Sequence, residues 1–140
     1  MTLVVDCSVT LTWCFEDERT PATLAVLDRI ADVGAIAPML WPLEVLNALA
    51  TAERRQRITA AQRHQLSGWM HNLPIKLDTE TAAQAWASTA LLAERHRLTL
   101  YDACYLELAH RLKLPLATLD RALRVAAQAA GVALLGAEGD

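Results

Sequence analysis

The 140-residue sequence is short of glycine: it has five, and none clusters after an apolar, strand-like run. That excludes a glycine-rich phosphate loop and the nucleotide-binding folds built on one. Cysteine is scarce as well. Cys7, Cys14 and Cys104 are odd in number and fit no metal spacing, which excludes a disulfide framework and reads as reduced thiols of a cytoplasmic protein. The histidines, His64, His71, His96 and His110, share no zinc-ligand spacing. Met1-Thr2-Leu3-Val4-Val5-Asp6 has no basic stretch before its apolar residues, so no secretory leader is expected. The long stretch 33–52, free of Lys, Arg and Asp, carries Pro38, Pro42, Glu44 and Asn47, which argues against a membrane span. Positive charge is in deficit, 13 Lys and Arg against 16 Asp and Glu, for a net charge of −3. This counts against a nucleic-acid partner only if the acids are spread evenly. Setting four of the 16 aside around a cation leaves 12 acids against 13 basic residues, a surface of about +1.

What is abundant is apolar: 54% of the residues, enough to bury a core without disulfides or a structural metal. The alanine-rich excess predicts close helix packing and a self-association surface. Short apolar runs at 3–5, 35–37, 75–77, 115–118 and 132–135 read as buried strands. Helical patterns fill the intervals. One spans about 9–15, and another starts at Thr20-Pro21 and runs to Gly34. Others cover 42–57, a stretch from Thr59 with Gln62 completing a capping box, 79–97, 99–112 and 121–130. On the 79–97 helix, Ala82, Ala85, Trp86, Thr89 and Ala93 share one face, so Trp86, like Trp41, is expected in the core. Strands alternating with helices predict one three-layer α/β/α domain over residues 1–140, with a five-stranded parallel sheet.

Four acids stand out by position. Each has a structural explanation: Asp6 and Asp120 can cap helices, Glu44 favours a helix dipole, and Asp102 follows Thr99 as in a capping box. Asp78, after the third run, also reads as a cap. Jointly they suggest more. Asp6 and Asp120 end strand-like runs, and Glu44 and Asp102 open helices, so all four belong at the carboxyl edge where open parallel sheets bind ligands. Two carboxylates ~5 Å apart repel by roughly 3 kcal/mol at an effective dielectric near 20. Four together need protonation or a cation, and all-oxygen ligands select Mg²⁺ or Mn²⁺. Cys7, taken as strand, should point away from Asp6 and Ser8. Ser8 and Thr118 are placed to orient Asp6 or Asp120 by hydrogen bonds, and Asn47 lies one turn beyond Glu44. Arg54, Arg55 and Arg57, with Arg63 and His64 just beyond, form the densest basic cluster and are candidates for contacts to nucleic-acid phosphates.

Val4-Val5-Asp6-Cys7-Ser8, the segment from Pro42 to Leu49 with Glu44 and Asn47, the segment from Leu100 to Ala109 with Asp102, and Leu116-Ala117-Thr118-Leu119-Asp120 resemble, in order and spacing, the motifs of PIN domains. The length resembles the VapC-like toxins of toxin–antitoxin pairs. That resemblance implies a metal-dependent endoribonuclease, with Asp6, Glu44, Asp102 and Asp120 at the metal, a homodimer, and a cognate antitoxin that blocks the site. A catalytically silent PIN-fold binding module and a PIN nuclease acting on DNA are the alternatives. Receiver domains and haloacid-dehalogenase-like phosphatases fit less well, because Asp6 has no acidic neighbour in Asp6-Cys7-Ser8.

Overall fold

A computed structural model describes residues 1–140. Five parallel strands, β1 (Val4–Val5), β2 (Ala35–Pro38), β3 (Ile75–Asp78), β4 (Leu116–Ala117) and β5 (Leu134–Leu135), form one sheet in the order β3-β2-β1-β4-β5. The chain moves outward from β1 through β2 to β3, then returns to the other side of β1. The switch in direction therefore falls between β1 and β4, where Val4 pairs with Leu116 and Val5 with Ala117. A crevice at the carboxyl ends of those two strands is the ligand position this topology favours.

Alternation along the strands sends side chains to two helical layers. Val4 and Leu116 join the larger core cluster, while Leu3, Val5 and Ala117 join the smaller one. The smaller layer is made by α1 (Cys7–Cys14) and α2 (Pro21–Val33), through Val9, Trp13, Val26 and Ile30. Thr20 and Thr23 form a capping box at the start of α2, with Pro21 in its first turn. Gly34 ends it at φ 74°, where a Cβ would also press on the Pro74 carbonyl oxygen at 3.2 Å.

The larger layer contains α3 (Trp41–Arg54), α4 (Ala60–His71) and α7 (Leu100–Leu112). Thr99 caps α7 by accepting from the Asp102 amide at 3.1 Å, and Lys113, in the left-handed region, ends it. Between those ends, Ala103 to Ala109 are all buried, so α7 is the central helix of the domain. Truncating Leu106 or Leu108, both fully buried, would cost about 2–5 kcal/mol. The remaining helices are α5 (Thr81–Gln84), α6 (Ala90–His96) and α8 (Arg121–Ala129). No helix is long and apolar enough to cross a membrane.

Two sequence expectations fail here. The 79–97 helix is interrupted by a π turn at Ala85–Thr89. One extra residue in a turn rotates the rest of the helix by about 100°. Thr89 and Ala93 still face the core, but Trp86 is 92% exposed instead of buried. Trp41 is buried as expected, its indole N–H donating to Thr10 Oγ1 at 3.1 Å. Cys7 is not strand: β1 ends at Val5, and Cys7 opens α1, half-buried against the larger core cluster.

Candidate active site

Asp6 leaves β1 and caps α1, its Oδ1 accepting from the Val9 amide at 3.1 Å. Oδ1 also accepts from Ser8 Oγ at 2.7 Å, and Oδ2 accepts from Thr118 Oγ1 at the end of β4. Ser8 Oγ in turn accepts from the Leu119 amide at 2.9 Å, and Thr118 Oγ1 from the Asp120 amide at 3.1 Å. Ser8 and Thr118 thus tie the ends of β1 and β4 across the switch point. Asp120 caps α8 through the Leu123 amide at 2.8 Å. The capping expectations for Asp6 and Asp120 are met, and each carboxylate retains capacity beyond its cap. Asp6 uses three acceptor positions of about four available to a carboxylate, which leaves one direction open.

Glu44 and Asp102 come from the larger layer, in the first turns of α3 and α7. Tyr105, three residues beyond Asp102 on α7, donates its hydroxyl to Glu44 Oε1 at 2.5 Å. Sequence reasoning passed over Tyr105 because a tyrosine amid alanines and leucines reads as core, which it also is. The available signal was spacing: i and i+3 lie on one helix face. Asn47 is exposed.

Electrostatics show that the acids share a space. Burial pushes Asp6 up to about 6, against hydrogen bonds from Thr118, Ser8 and Val9 that lower it, and the Asp102 charge raises it further. Burial raises Glu44 as well, opposed by the Tyr105 hydrogen bond and reinforced by Asp102. Asp102 is itself raised, by burial first and then by Asp120. The Cys7 thiol, pushed to about 12 mainly by burial and then by Glu44 and Asp6, is no competing ligand. None of the four acids belongs to an ion pair; every pair in the molecule lies elsewhere.

The donor chemistry fits a hard divalent cation: carboxylates with raised affinity for positive charge and no basic side chain to supply it. As they lie, no three acid, His or Cys side chains close on one point, so an ion would draw the carboxylates inward or be held partly through water. Asp78 stands apart from this set. Beyond accepting from the Glu80 amide at 3.3 Å as a cap would, it binds the Arg111 guanidinium at 2.6 Å. Arg111 also holds Glu107 at 2.6 Å and Glu80 at 3.2 Å.

The basic cluster is partly committed. Arg57 bonds Asp17 at 3.0 Å and Glu18 at 2.7 Å and lies over the Phe15 ring, and Arg63 pairs with Glu53. Arg54 bonds the Thr51 hydroxyl, and Arg55 is exposed.

An open parallel sheet whose switch-point edge carries carboxylates without a basic partner defines an α/β domain with donors of the kind a hard cation takes. The chain belongs to the PIN domain family, whose sequence pattern matches residues 3–129. Members of that family are generally metal-dependent nucleases. Among solved structures, the chain is similar to PAE2754 from Pyrobaculum aerophilum, with a TM-score of 0.69 and 23% identity over 96% of this chain and 83% of that one. It is also similar to FitAcB from Neisseria gonorrhoeae, with a TM-score of 0.66 and 17% identity over 95% of this chain and 96% of that one. These likenesses establish the shared fold. No curated protein matches the sequence.

Proposed function

We propose that this protein is a Mg²⁺- or Mn²⁺-dependent endoribonuclease, a single PIN domain that works as the toxin of a toxin–antitoxin pair in the cytoplasm. The observation that carries the reading is the gathering of Asp6, Glu44 and Asp120 near enough to Asp102 for their charges to be felt, with no ion pair to any of the four. Asp6, Asp102 and Asp120 would hold the ion, with Glu44 beside them. Bound there, a divalent ion supplies charge neutralisation at the RNA phosphate and a lowered pKa for water.

The chain's own residues have separable tasks. Thr118 and Ser8 fix the Asp6 carboxylate, so that it meets its ligand in one orientation. Tyr105 fixes Glu44 by one oxygen, Oε1, and leaves Oε2 to orient the attacking water and accept its proton. Burial raises the proton affinity of Glu44, which suits that role. Water oxygen bonds to phosphorus, the opposite P–O ester bond breaks, and the departing ribose oxygen takes up a proton. Arg54 and Arg55 reach phosphates farther along the strand, since ten residues of α3 span ~15 Å. Met39, Leu43, Leu46 and Tyr101, all exposed, flank Glu44 and Asp102 in the chain. An apolar rim around a charged site suits a protein cover, consistent with a homodimer and a cognate antitoxin.

The test is cleavage of a mixed RNA pool, alongside DNA oligonucleotides of the same sequences, with Mg²⁺, with Mn²⁺ and with chelator. RNA cutting that needs the ion and vanishes in Asp6→Asn is expected. Cutting of DNA alone moves the substrate. No cutting, with no rise in melting temperature from either ion, leaves a binding module.

A further inference from the structure

The carboxylates have a second flank, on the side of α8. The C-terminal end of α6 and one face of α8 along its length border a shallow hollow of about 480 Å³, lined by His96, Arg121, Ala122, Val125, Ala126 and Ala129. Its two polar groups bracket the acids along the chain. Arg121 directly follows Asp120, and His96 lies three residues before Thr99, the cap of the helix that carries Asp102. Neither forms an ion pair.

Arg121 is difficult to explain as a structural residue. It occupies the first position of α8, where the helix dipole is positive and a cation is unfavourable by about 0.3–1 kcal/mol. It is exposed, and the charge it carries costs the helix some stability. His96, by contrast, ends α6 and suits the dipole there. The dipole accounts for the place of His96 and leaves that of Arg121 unfavourable. The floor between them is apolar, with Val125 59% exposed. A rim of one guanidinium and one imidazole over a small apolar floor, beside the proposed phosphate-cleaving centre, matches one nucleotide: its phosphate on the rim, its sugar or base face on the floor.

We infer that the α6–α8 hollow is an RNA subsite, in which Arg121 and His96 grip the backbone phosphate next to the one that is cut. This rests on the nuclease reading above. It assigns to Arg121 the near phosphate contact, with Arg54 and Arg55 left to more distant ones.

The experiment measures binding of a fluorescent single-stranded RNA 12-mer to the Asp6→Asn protein in Mg²⁺, across a salt series. Arg121→Ala, Arg121→Lys, Arg54→Ala and, as a charge control at the opposite sheet edge, Arg29→Gln are compared on that background. Arg121→Ala should weaken binding about tenfold and flatten the slope of log K against log[salt] by about 0.7, the value for one phosphate on a single strand. Arg121→Lys should keep the slope, and Arg29→Gln should change neither quantity. The melting temperature of Arg121→Ala should stay level or rise, because a charge opposing the dipole is gone. In the cleaving protein, Arg121→Ala should raise KM far more than it lowers kcat.

If Arg121→Ala binds with the parent's affinity and slope while Arg54→Ala loses both, the RNA runs along α3 and the inference is wrong. If the parent binds no RNA and the wild type cuts none, the nuclease reading has failed and the subsite falls with it. Parent binding with an unaffected Arg121→Ala overturns the subsite alone.

Discussion

Two groups of acids lie near one another in this molecule and are treated in opposite ways. Asp78, Glu80 and Glu107 surround Arg111, which bonds all three. Asp6, Glu44, Asp102 and Asp120 have only hydroxyls and amides around them, and no cation. The groups are near enough that the buried Cys104 thiol is raised, after burial itself, by Glu107, Glu44 and Asp78, members of both. Burial is not the distinction, since Glu107 is 4% exposed and Asp6 5%. The distinction is the counter-charge. Where acids are part of the scaffold, the chain brings its own arginine. Where it brings none, the deficit is open to a cation from solution.

The largest effect that bears on this contrast is catalytic. Asp6→Asn should lower RNA cleavage by about three orders of magnitude, the several kcal/mol expected of a lost metal carboxylate, while folding in chelator stays as firm or becomes firmer. A large loss of folding stability would place Asp6 with the scaffold acids. Arg111→Ala should do the reverse, costing about 3 kcal/mol in denaturant unfolding, because Glu107 and Asp78 are left buried and uncompensated. A cost below about 0.5 kcal/mol would break the comparison from the other side.

The acid centre should also show itself in pH. Asp6 titrates in the folded protein near 6, above its ordinary 3.8, so the folded state prefers the protonated form. Its contribution is fully present below about pH 4 and is lost as the pH rises through about 6, by about 2–3 kcal/mol in chelator. Asp6→Asn should flatten that slope, and added Mg²⁺ should reverse it, since the ion binds the ionised form. Melting curves from pH 4 to 7.5 decide it, and identical slopes in both proteins would contradict the assignment. The smallest effect is that of Tyr105→Phe, which frees Glu44 Oε1 and should cost about tenfold in kcat with KM little changed. Its pH–rate profile should move as well, which a purely packing role for the ring would not produce.

Much of this was legible in the sequence, for a local reason. Asp6 and Asp120 end apolar runs, and a parallel sheet sends every such end to the same edge. Fold class, strand count and the places of Asp6 and Asp120 come from that rule, whereas Asp102 follows a helix, so the rule does not reach it. The hidden features depend on phase or distance. The π turn slips the register of one helix, so Trp86 faces outward while Thr89 and Ala93, which regular spacing puts on the same face, stay buried. Arg57 looked free because its acids lie 40 residues upstream, and Asp78 looked like a simple cap because Arg111 lies 33 residues downstream. Tertiary ion pairs leave no trace in local spacing.

The bond between Thr118 and Asp6 joins residues 112 positions apart. Proteins are synthesised from the amino terminus, and their parts fold as they emerge. Asp6 leaves the ribosome 112 residues ahead of the hydroxyl that orients it. A chain still tethered to its messenger carries Asp6 without Thr118 or Asp120. The complete constellation arises only after β4 and Asp120 have emerged, so the timing of assembly is written into the order of the strands.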